Sequence, residues 1–201
     1  KRNDRAVKQN RKPNLDSFVT DFMKIAGVDE VGIGCLAGPL VAAAVVFGNN
    51  KSEYLFKDSK KTSQKNRAIQ ARYVKRNFYV GIGVASPYEI DELNVLKASH
   101  LAMIRAVANL PVAPEKIIVD GSHVPHGLKN AKAIIKGDEH HQEIAAASIV
   151  AKFFRDQLMS NYAKEYAGYF FEKNKGYPTK DHKNAINYLG LSNIHRKSFK
   201  I

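Results

Sequence analysis

Residues 26–47 read Ala-Gly-Val-Asp-Glu-Val-Gly-Ile-Gly-Cys-Leu-Ala-Gly-Pro-Leu-Val-Ala-Ala-Ala-Val-Val-Phe. Two apolar runs of strand length flank a glycine-rich break, and two carboxylates, Asp29 and Glu30, stand at its mouth. Adjacent acids at the end of a buried strand repel each other and resist leaving water unless a cation offsets both charges. The stretch therefore predicts a first strand over Ile25–Val31, a second over Leu36–Phe47, a hairpin turn at Gly32–Gly34, and a divalent metal held by oxygen ligands.

Gly32, Gly34 and Ala37 also match the G-x-G-x-x-G/A fingerprint of a dinucleotide site, with Glu53 further on. That fingerprint needs a helix opening over the pyrophosphate. Here Gly38-Pro39 interrupts it, the run that follows is apolar throughout, and Asp29 and Glu30 would repel the phosphates.

The chain has 201 residues, enough for one domain with its own core, and carries a formal net charge of +13 with a pI near 9.7. A hydrophobic content of 44% sets it apart from disordered basic tails. A folded basic protein most often meets a polyanion, and nucleic acid is the expected partner. The single cysteine, Cys35, excludes an internal disulfide framework and a multi-cysteine zinc site. Since no apolar run approaches the roughly 18 residues of a membrane span, the expectation is a monomer in the cytoplasm with no membrane partner.

Residues 1–13 hold six Lys or Arg and one Asp, a basic arm, and a short helix is expected over 14–24. Residues 51–76 hold nine basic side chains and two acids, with Thr62 and Ser63 as caps of a basic helix that suits phosphate contact or simply a solvated face. Phe78–Ala85 alternates as a strand, and Ser86-Pro87-Tyr88-Glu89 is a capping box opening a helix to about Leu110. Ile90, Leu93, Leu101, Ile104 and Val107 are its expected core face. Two short apolar strands follow, one running into Asp120-Gly121 and one into Lys136-Gly137-Asp138. A long helix spans Glu143 to about Ala167, a loop with Tyr169, Phe170, Phe171 and Tyr177 among lysines suits stacking on nucleic acid, and Thr179 caps a last helix to about Leu189.

Three strand ends thus offer four carboxylates: Asp29, Glu30, Asp120 and Asp138. Strand ends on one edge of an α/β sheet converge in space, and four acids suit two magnesium ions about 4 Å apart, the arrangement that serves phosphodiester hydrolysis. A single Asp after a strand is usually a turn residue; three such sites on a basic chain point to a nuclease.

The sequence resembles ribonuclease HII, the bacterial type 2 ribonuclease H. The resemblance rests on Ala26-Gly-Val-Asp-Glu-Val-Gly, Leu36-Ala-Gly-Pro, Asp58-Ser-Lys-Lys, Glu89-Ile-Asp-Glu-Leu-Asn, Val119-Asp-Gly, Lys136-Gly-Asp, Ala145-Ala-Ala-Ser-Ile-Val-Ala-Lys, Arg155-Asp, Gly176-Tyr-Pro-Thr and His195-Arg-Lys-Ser-Phe, in order along the chain. It implies an α/β ribonuclease H-like fold: a mixed five-stranded sheet flanked by helices over 25–167, a lead-in over 1–24 and a helical extension over 168–201 lining the substrate groove. It implies that Asp29, Glu30, Asp120 and Asp138 hold two Mg2+ or Mn2+ ions. The implied reactions are hydrolysis of the RNA strand of RNA/DNA hybrids and nicking of DNA 5′ to an embedded ribonucleotide, with 3′-hydroxyl and 5′-phosphate ends. By position, the Gly32-Ile33-Gly34 backbone contacts the ribonucleotide 2′-hydroxyl, Tyr177 packs on the sugar at the RNA-to-DNA junction, and Lys60 and Ser148 lie along phosphates.

Ile33 departs from the pattern, since the family usually carries Arg between the two glycines. This suggests a second reading, a catalytically weakened hybrid-binding protein, against which the four retained acids argue. A DNA junction nuclease on the same fold is a third. His140-His141 also departs and reads as a solvated loop.

Overall fold

Strand β1 (Ile25–Val31) pairs antiparallel with β2 (Leu40–Val46), with Ala26 opposite Val46 and Val31 opposite Val41. β2 continues antiparallel into β3 (Tyr79–Ala85), while on its other side β1 runs parallel to β4 (Lys116–Asp120) and β4 parallel to β5 (Ala131–Ile134). The result is a mixed five-stranded sheet in the order β3-β2-β1-β4-β5. The computed structural model describes residues 23–48, 52–57, 59 and 62–201; the expected basic arm, most of the expected first helix, and Lys60 lie outside the described residues. Among the described residues no helix is long and apolar enough to cross a membrane.

The second strand begins at Leu40 rather than Leu36 because the intervening segment is tied elsewhere. The Leu36 amide donates to Gly176 O at 2.8 Å, the Gly38 amide donates to Ile194 O at 2.8 Å, and Ala37 bridges His195. The β1–β2 connection is thus a broad loop stitched to the C-terminal part of the chain.

One face of the sheet packs on α3 (Val95–Ala108). The expected single helix is two, α2 (Pro87–Leu93) and α3, because Asn94 turns the chain at φ 70° and its side chain accepts from the Leu96 and Lys97 amides, capping a new helix. The predicted capping box at Ser86 and Glu89 is present. The predicted core face holds in part: Ile90 is fully buried and Val107 packs against the core, but Leu93 is 37% exposed, and the buried residues of α3 are Ala98, Ser99, Ala102, Met103 and Ala106. The cause lies in β3, where a Cβ on Gly81 or Gly83 would overlap the Ala106 or Ala102 carbonyl oxygen. Helix backbone lies directly on strand backbone there, so the contact stripe must be small and the larger side chains pass to its flanks.

The other face is covered by α1 (Gln64–Asn77), capped by Ser63, and by α5 (Gln142–Glu165). The alanine run Ala145–Ala147 is fully buried, and a Cβ at Gly27 of β1 would overlap the Glu143 and Ile144 backbone, so α5 also sits hard on the sheet. A third cluster joins Leu36, Ala37 and Met159 to Tyr169, Phe171, Ile186 and Ile194, docking α6 (Phe171–Asn174) and α7 (Lys180–Leu189) on the end of α5. This corrects the reading of the 168–178 loop: Tyr169 and Phe171 stack on each other at 5.4 Å inside that cluster, where no base can reach them.

Candidate active site

The register of β1 and β4 sets the site. Val28 lies opposite Val119, and both belong to the core on the α3 face. Side chains alternate along a strand. The next residues, Asp29 and Asp120, are therefore neighbours on the opposite face, toward α5 at the C-terminal edge of the parallel pair. There the Asp29 carboxylate meets Ser148 of α5 and accepts from the Glu30 amide at 2.7 Å. Asp120 Oδ1 accepts from the Gly137 amide at 2.7 Å, which draws the end of β5 alongside. Lys136, left-handed at φ 54°, then turns the chain into the short helix α4 (Gly137–His140) that carries Asp138.

All four acids line one pocket of about 290 Å³. Gly32, Ile33 and Gly34 form part of its wall, and Ser148 and Tyr177 line it as well. The sequence-predicted residues are therefore brought together, Lys60 excepted as it lies outside the described residues. Ser59 and Lys152 also line the pocket. Ser59 is held on both sides: its hydroxyl is hydrogen-bonded to that of Ser148 at 3.0 Å, and its carbonyl accepts from Arg67 Nη2 at 2.8 Å and Nε at 3.1 Å while Arg67 Nη1 pairs with Asp156 at 3.3 Å.

Burial, and after it the charge of Glu30 and that of Asp120, holds the Asp29 carboxyl well above the usual carboxylate range. Hard oxygen donors crowded so that one resists ionisation are the donor set a divalent cation satisfies. As the side chains lie, no three His, Cys, Asp or Glu among the described residues stand close enough to enclose an ion. A bound cation would offset the mutual repulsion of these carboxylates.

The loop that carries the glycine wall is clamped by two buried arginines. Arg155 of α5 donates from Nε to Pro39 O at 2.8 Å, from Nη2 to Ala37 O at 3.0 Å and from Nη1 to Lys175 O at 2.8 Å. Arg196 donates from Nε and Nη2 to Gly38 O and from Nη1 to Ile33 O at 2.9 Å. Burial lowers Arg196 to about 10, so it stays charged at neutral pH. Gly32 is required at φ 99°, where a Cβ would also overlap Arg155 Nε. Ile33 is 42% exposed, with its carbonyl held by Arg196, so its backbone is fixed whatever side chain it carries.

Tyr177 faces Lys152 and Arg155 across its ring, with Lys152 Nζ 5.4 Å and Arg155 Cζ 5.8 Å from the centroid. Burial and the neighbouring Cys35 thiol push its hydroxyl up to about 12. Cys35 itself is buried and its thiol is raised by that burial, which keeps it unreactive.

The sequence alone assigns no role to Arg67, Arg155 or Arg196. For Arg155 one signal exists: Ser148, Ala151, Arg155 and Met159 follow at helical spacing and all four are buried, so the guanidinium sits on the core stripe of α5.

Fold and pocket together define a class: a basic α/β protein with a ribonuclease H-like mixed sheet and an acidic, glycine-walled pocket at its edge. The sequence model of the family Ribonuclease HII matches residues 26–201. The chain is 51% identical to Ribonuclease HII of Ruegeria pomeroyi over 179 residues, covering 89% of this chain and 76% of that protein. The crystal structure of ribonuclease H2 from Pyrococcus horikoshii OT3 superposes with a TM-score of 0.73 at 26% identity, covering 89% of this chain and 94% of that one. Bst-RNase HIII in complex with Mn2+ shares the fold at a TM-score of 0.61 and 18% identity, over 83% of this chain and 70% of that one. The chain belongs to the ribonuclease HII family, endonucleases that cleave the RNA strand of RNA/DNA hybrids.

Proposed function

We propose that this chain hydrolyses the RNA strand of hybrids and nicks duplex DNA on the 5′ side of an embedded ribonucleotide, leaving a 3′-hydroxyl and a 5′-phosphate, with two divalent ions held by Asp29, Glu30, Asp120 and Asp138. The observation that carries this reading is the meeting of four carboxylates from three separate stretches of chain in one glycine-walled pocket of a protein with a net charge of +13. Magnesium or manganese bound there supplies neutralisation of the phosphate charge and a water acidic enough to attack at neutral pH. The Mn2+ in the Bst-RNase HIII structure supports a divalent ion on this fold.

The residues of the chain supply position and selection. The Gly32–Gly34 backbone, held at Ile33 O by Arg196 and packed at Gly32 against Arg155, forms a wall against which a 2′-hydroxyl can bond, the group that separates RNA from DNA. Tyr177 presents a ring to the sugar at the junction. Ser148 and Lys152 follow the phosphates, with Ser148 also bonding Asp29 and so tying substrate contact to the acid cluster; the same role, implied for Lys60 by sequence position, falls on a residue outside the described ones.

The direct test is a DNA duplex carrying one ribonucleotide, incubated with and without Mg2+ or Mn2+. A metal-dependent nick 5′ to the ribonucleotide, with all-DNA duplex left intact, is the expected result. Binding without any product at every metal concentration would leave only a hybrid-binding protein, and equal cutting of all-DNA duplex would make it a general nuclease.

A further inference from the structure

We propose that His182 and His195 are positioning residues for Tyr177, acting as a two-imidazole hydrogen-bond relay whose proton placement is fixed at both ends by the backbone. The proposal rests on the reading of Tyr177 as a substrate contact.

Both imidazoles are buried outside the acidic pocket, between the cap of α7 and the C-terminal segment. The Ser192 backbone amide donates to His195 Nδ1 at 2.9 Å, with the Ser192 hydroxyl 2.8 Å from the same atom. His195 Nε2 lies 3.1 Å from His182 Nε2, and His182 Nδ1 lies 2.8 Å from Tyr177 O. An amide N–H can only donate and a carbonyl can only accept, so one assignment satisfies every link. His195 accepts at Nδ1 and carries its proton on Nε2; His182 accepts that bond at Nε2 and carries its proton on Nδ1, donating to Tyr177 O. Both rings must be neutral, because a second proton on either one would set two donors face to face.

The surroundings favour neutrality. The rings pack against Tyr169 and Phe171, with His195 4.9 Å from the Tyr169 ring and His182 5.3 Å from the Phe171 ring. Burial lowers both imidazoles, and the proximity of His182 helps to bring His195 down to about 4.

What the relay reaches gives it a function. Tyr177 O also accepts from the Thr179 amide at 2.8 Å, and the Tyr177 amide donates to Asn174 O at 2.9 Å, so the turn that presents the ring is held on both sides. At the other end, His195 bridges Ala37 through its backbone and is followed by Arg196, which grips Ile33 O and Gly38 O. The His195-Arg196 dipeptide thus joins the two walls that face substrate: its arginine sets the glycine wall, and its histidine sets Tyr177 through His182.

Two measurements test this. Long-range 1H–15N correlation spectra of the whole protein near neutral pH should assign the Nδ1–H tautomer to His182 and the Nε2–H tautomer to His195; the reverse tautomers, or a charged ring, overturn the relay. Second, His182→Asn keeps a donor near the Nδ1 position, whereas His182→Gln reaches only the Nε2 position. On an RNA/DNA hybrid, His182→Gln should raise KM about fivefold, the equivalent of one hydrogen bond of about 1 kcal/mol, while His182→Asn stays within about twofold of the parent. Equal effects of the two variants would mean that His182 merely fills space. Tyr177→Ala separates the premises: an unchanged KM in that variant refutes the substrate contact itself, whereas a raised KM there with none in His182→Gln refutes the relay alone.

Discussion

At Asp29 the chain holds a carboxyl group in a setting hostile to its charge: 7% exposed, beside Glu30, and next to Asp120 across the β1–β4 register. Because the folded protein raises its pKa, the ionised form works against folding at neutral pH in the absence of metal. Asp29→Asn removes that charge and keeps an oxygen to accept the Glu30 amide. In a chelator, this variant should be more stable than the parent by about 1 kcal/mol, a melting temperature higher by roughly 2–4 °C, and it should gain less than the parent from added Mg2+. Cleavage should fall on the order of a thousandfold, the size of several kcal/mol of lost charge stabilisation. A variant that is both less stable in chelator and near-normal in rate would remove Asp29 from the metal set. Ile33 is the opposite case, a side chain that takes nothing from the fold, since the backbone around it is held through its carbonyl. Ile33→Arg should therefore leave stability unchanged and, by adding a charge-assisted bond worth about 1.5 kcal/mol, lower KM about tenfold on DNA with one ribonucleotide. Steady-state kinetics on that substrate and on an all-RNA hybrid strand would show whether the gain is specific to the junction.

At the scale of elements, the C-terminal extension depends on a neutral histidine pair, and this gives it a pH dependence of known sign. His195 is lowered to about 4 and His182 is lowered as well, both chiefly by burial. Among the described residues, the groups that meet the pair are the Tyr169 and Phe171 rings, the Tyr177 carbonyl, and the Ser192 amide and hydroxyl, none of them a carboxylate that would hold a proton on an imidazole. Between the ordinary histidine value of 6.5 and the lowered one, the unfolded chain binds a proton that the folded chain refuses. Stability from this pair is therefore full above 6.5 and falls as pH drops toward 4, with a slope of at most about 1.4 kcal/mol per pH unit for each proton. Chemical denaturation across that range should show the slope in the parent and a shallower one in His182→Asn. The elements themselves were largely legible: β1, β3, the Ser86 capping box and the Thr179 cap fall where period and cap chemistry put them. The core face of α3 was not, because it is dictated by Gly81 and Gly83 on a strand that meets the helix only in three dimensions. The same holds for Tyr169 and Phe171: a sequence of aromatics among lysines suits a nucleic-acid surface and a small core equally, and only the partners supplied by Leu36, Met159 and Ile194 decide between them. The four acids were legible as a set because each ends or closely follows an apolar run, Asp138 from the first turn of α4 just beyond β5, whereas the arginines that shape their pocket bond to backbone carbonyls, which leave no trace in the sequence.

For the whole molecule, the net charge of +13 and the acidic pocket are opposing fields, and their separation decides how substrate arrives. A polyanion is drawn to the basic surface and repelled by the uncompensated carboxylates. Approach and chemistry should therefore respond to different ions. Monovalent salt competes for phosphate contacts, so kcat/KM on an RNA/DNA hybrid should fall with a log–log slope steeper than about −2 if three or more phosphates are neutralised. The rate at saturating substrate should barely move, because the acids line one pocket and Asp29 is buried, and buried charges are screened by salt much less than exposed ones. On the proposed mechanism divalent cation should act on both: at low concentration it should satisfy the acids and raise kcat, and at high concentration it should compete for phosphates and raise KM. Steady-state kinetics over a grid of KCl and MgCl2 would separate the two effects. A kcat as salt-sensitive as kcat/KM would mean that phosphate contacts are still forming in the transition state, and a flat kcat/KM would mean that the surplus of basic side chains lies away from the path of the duplex.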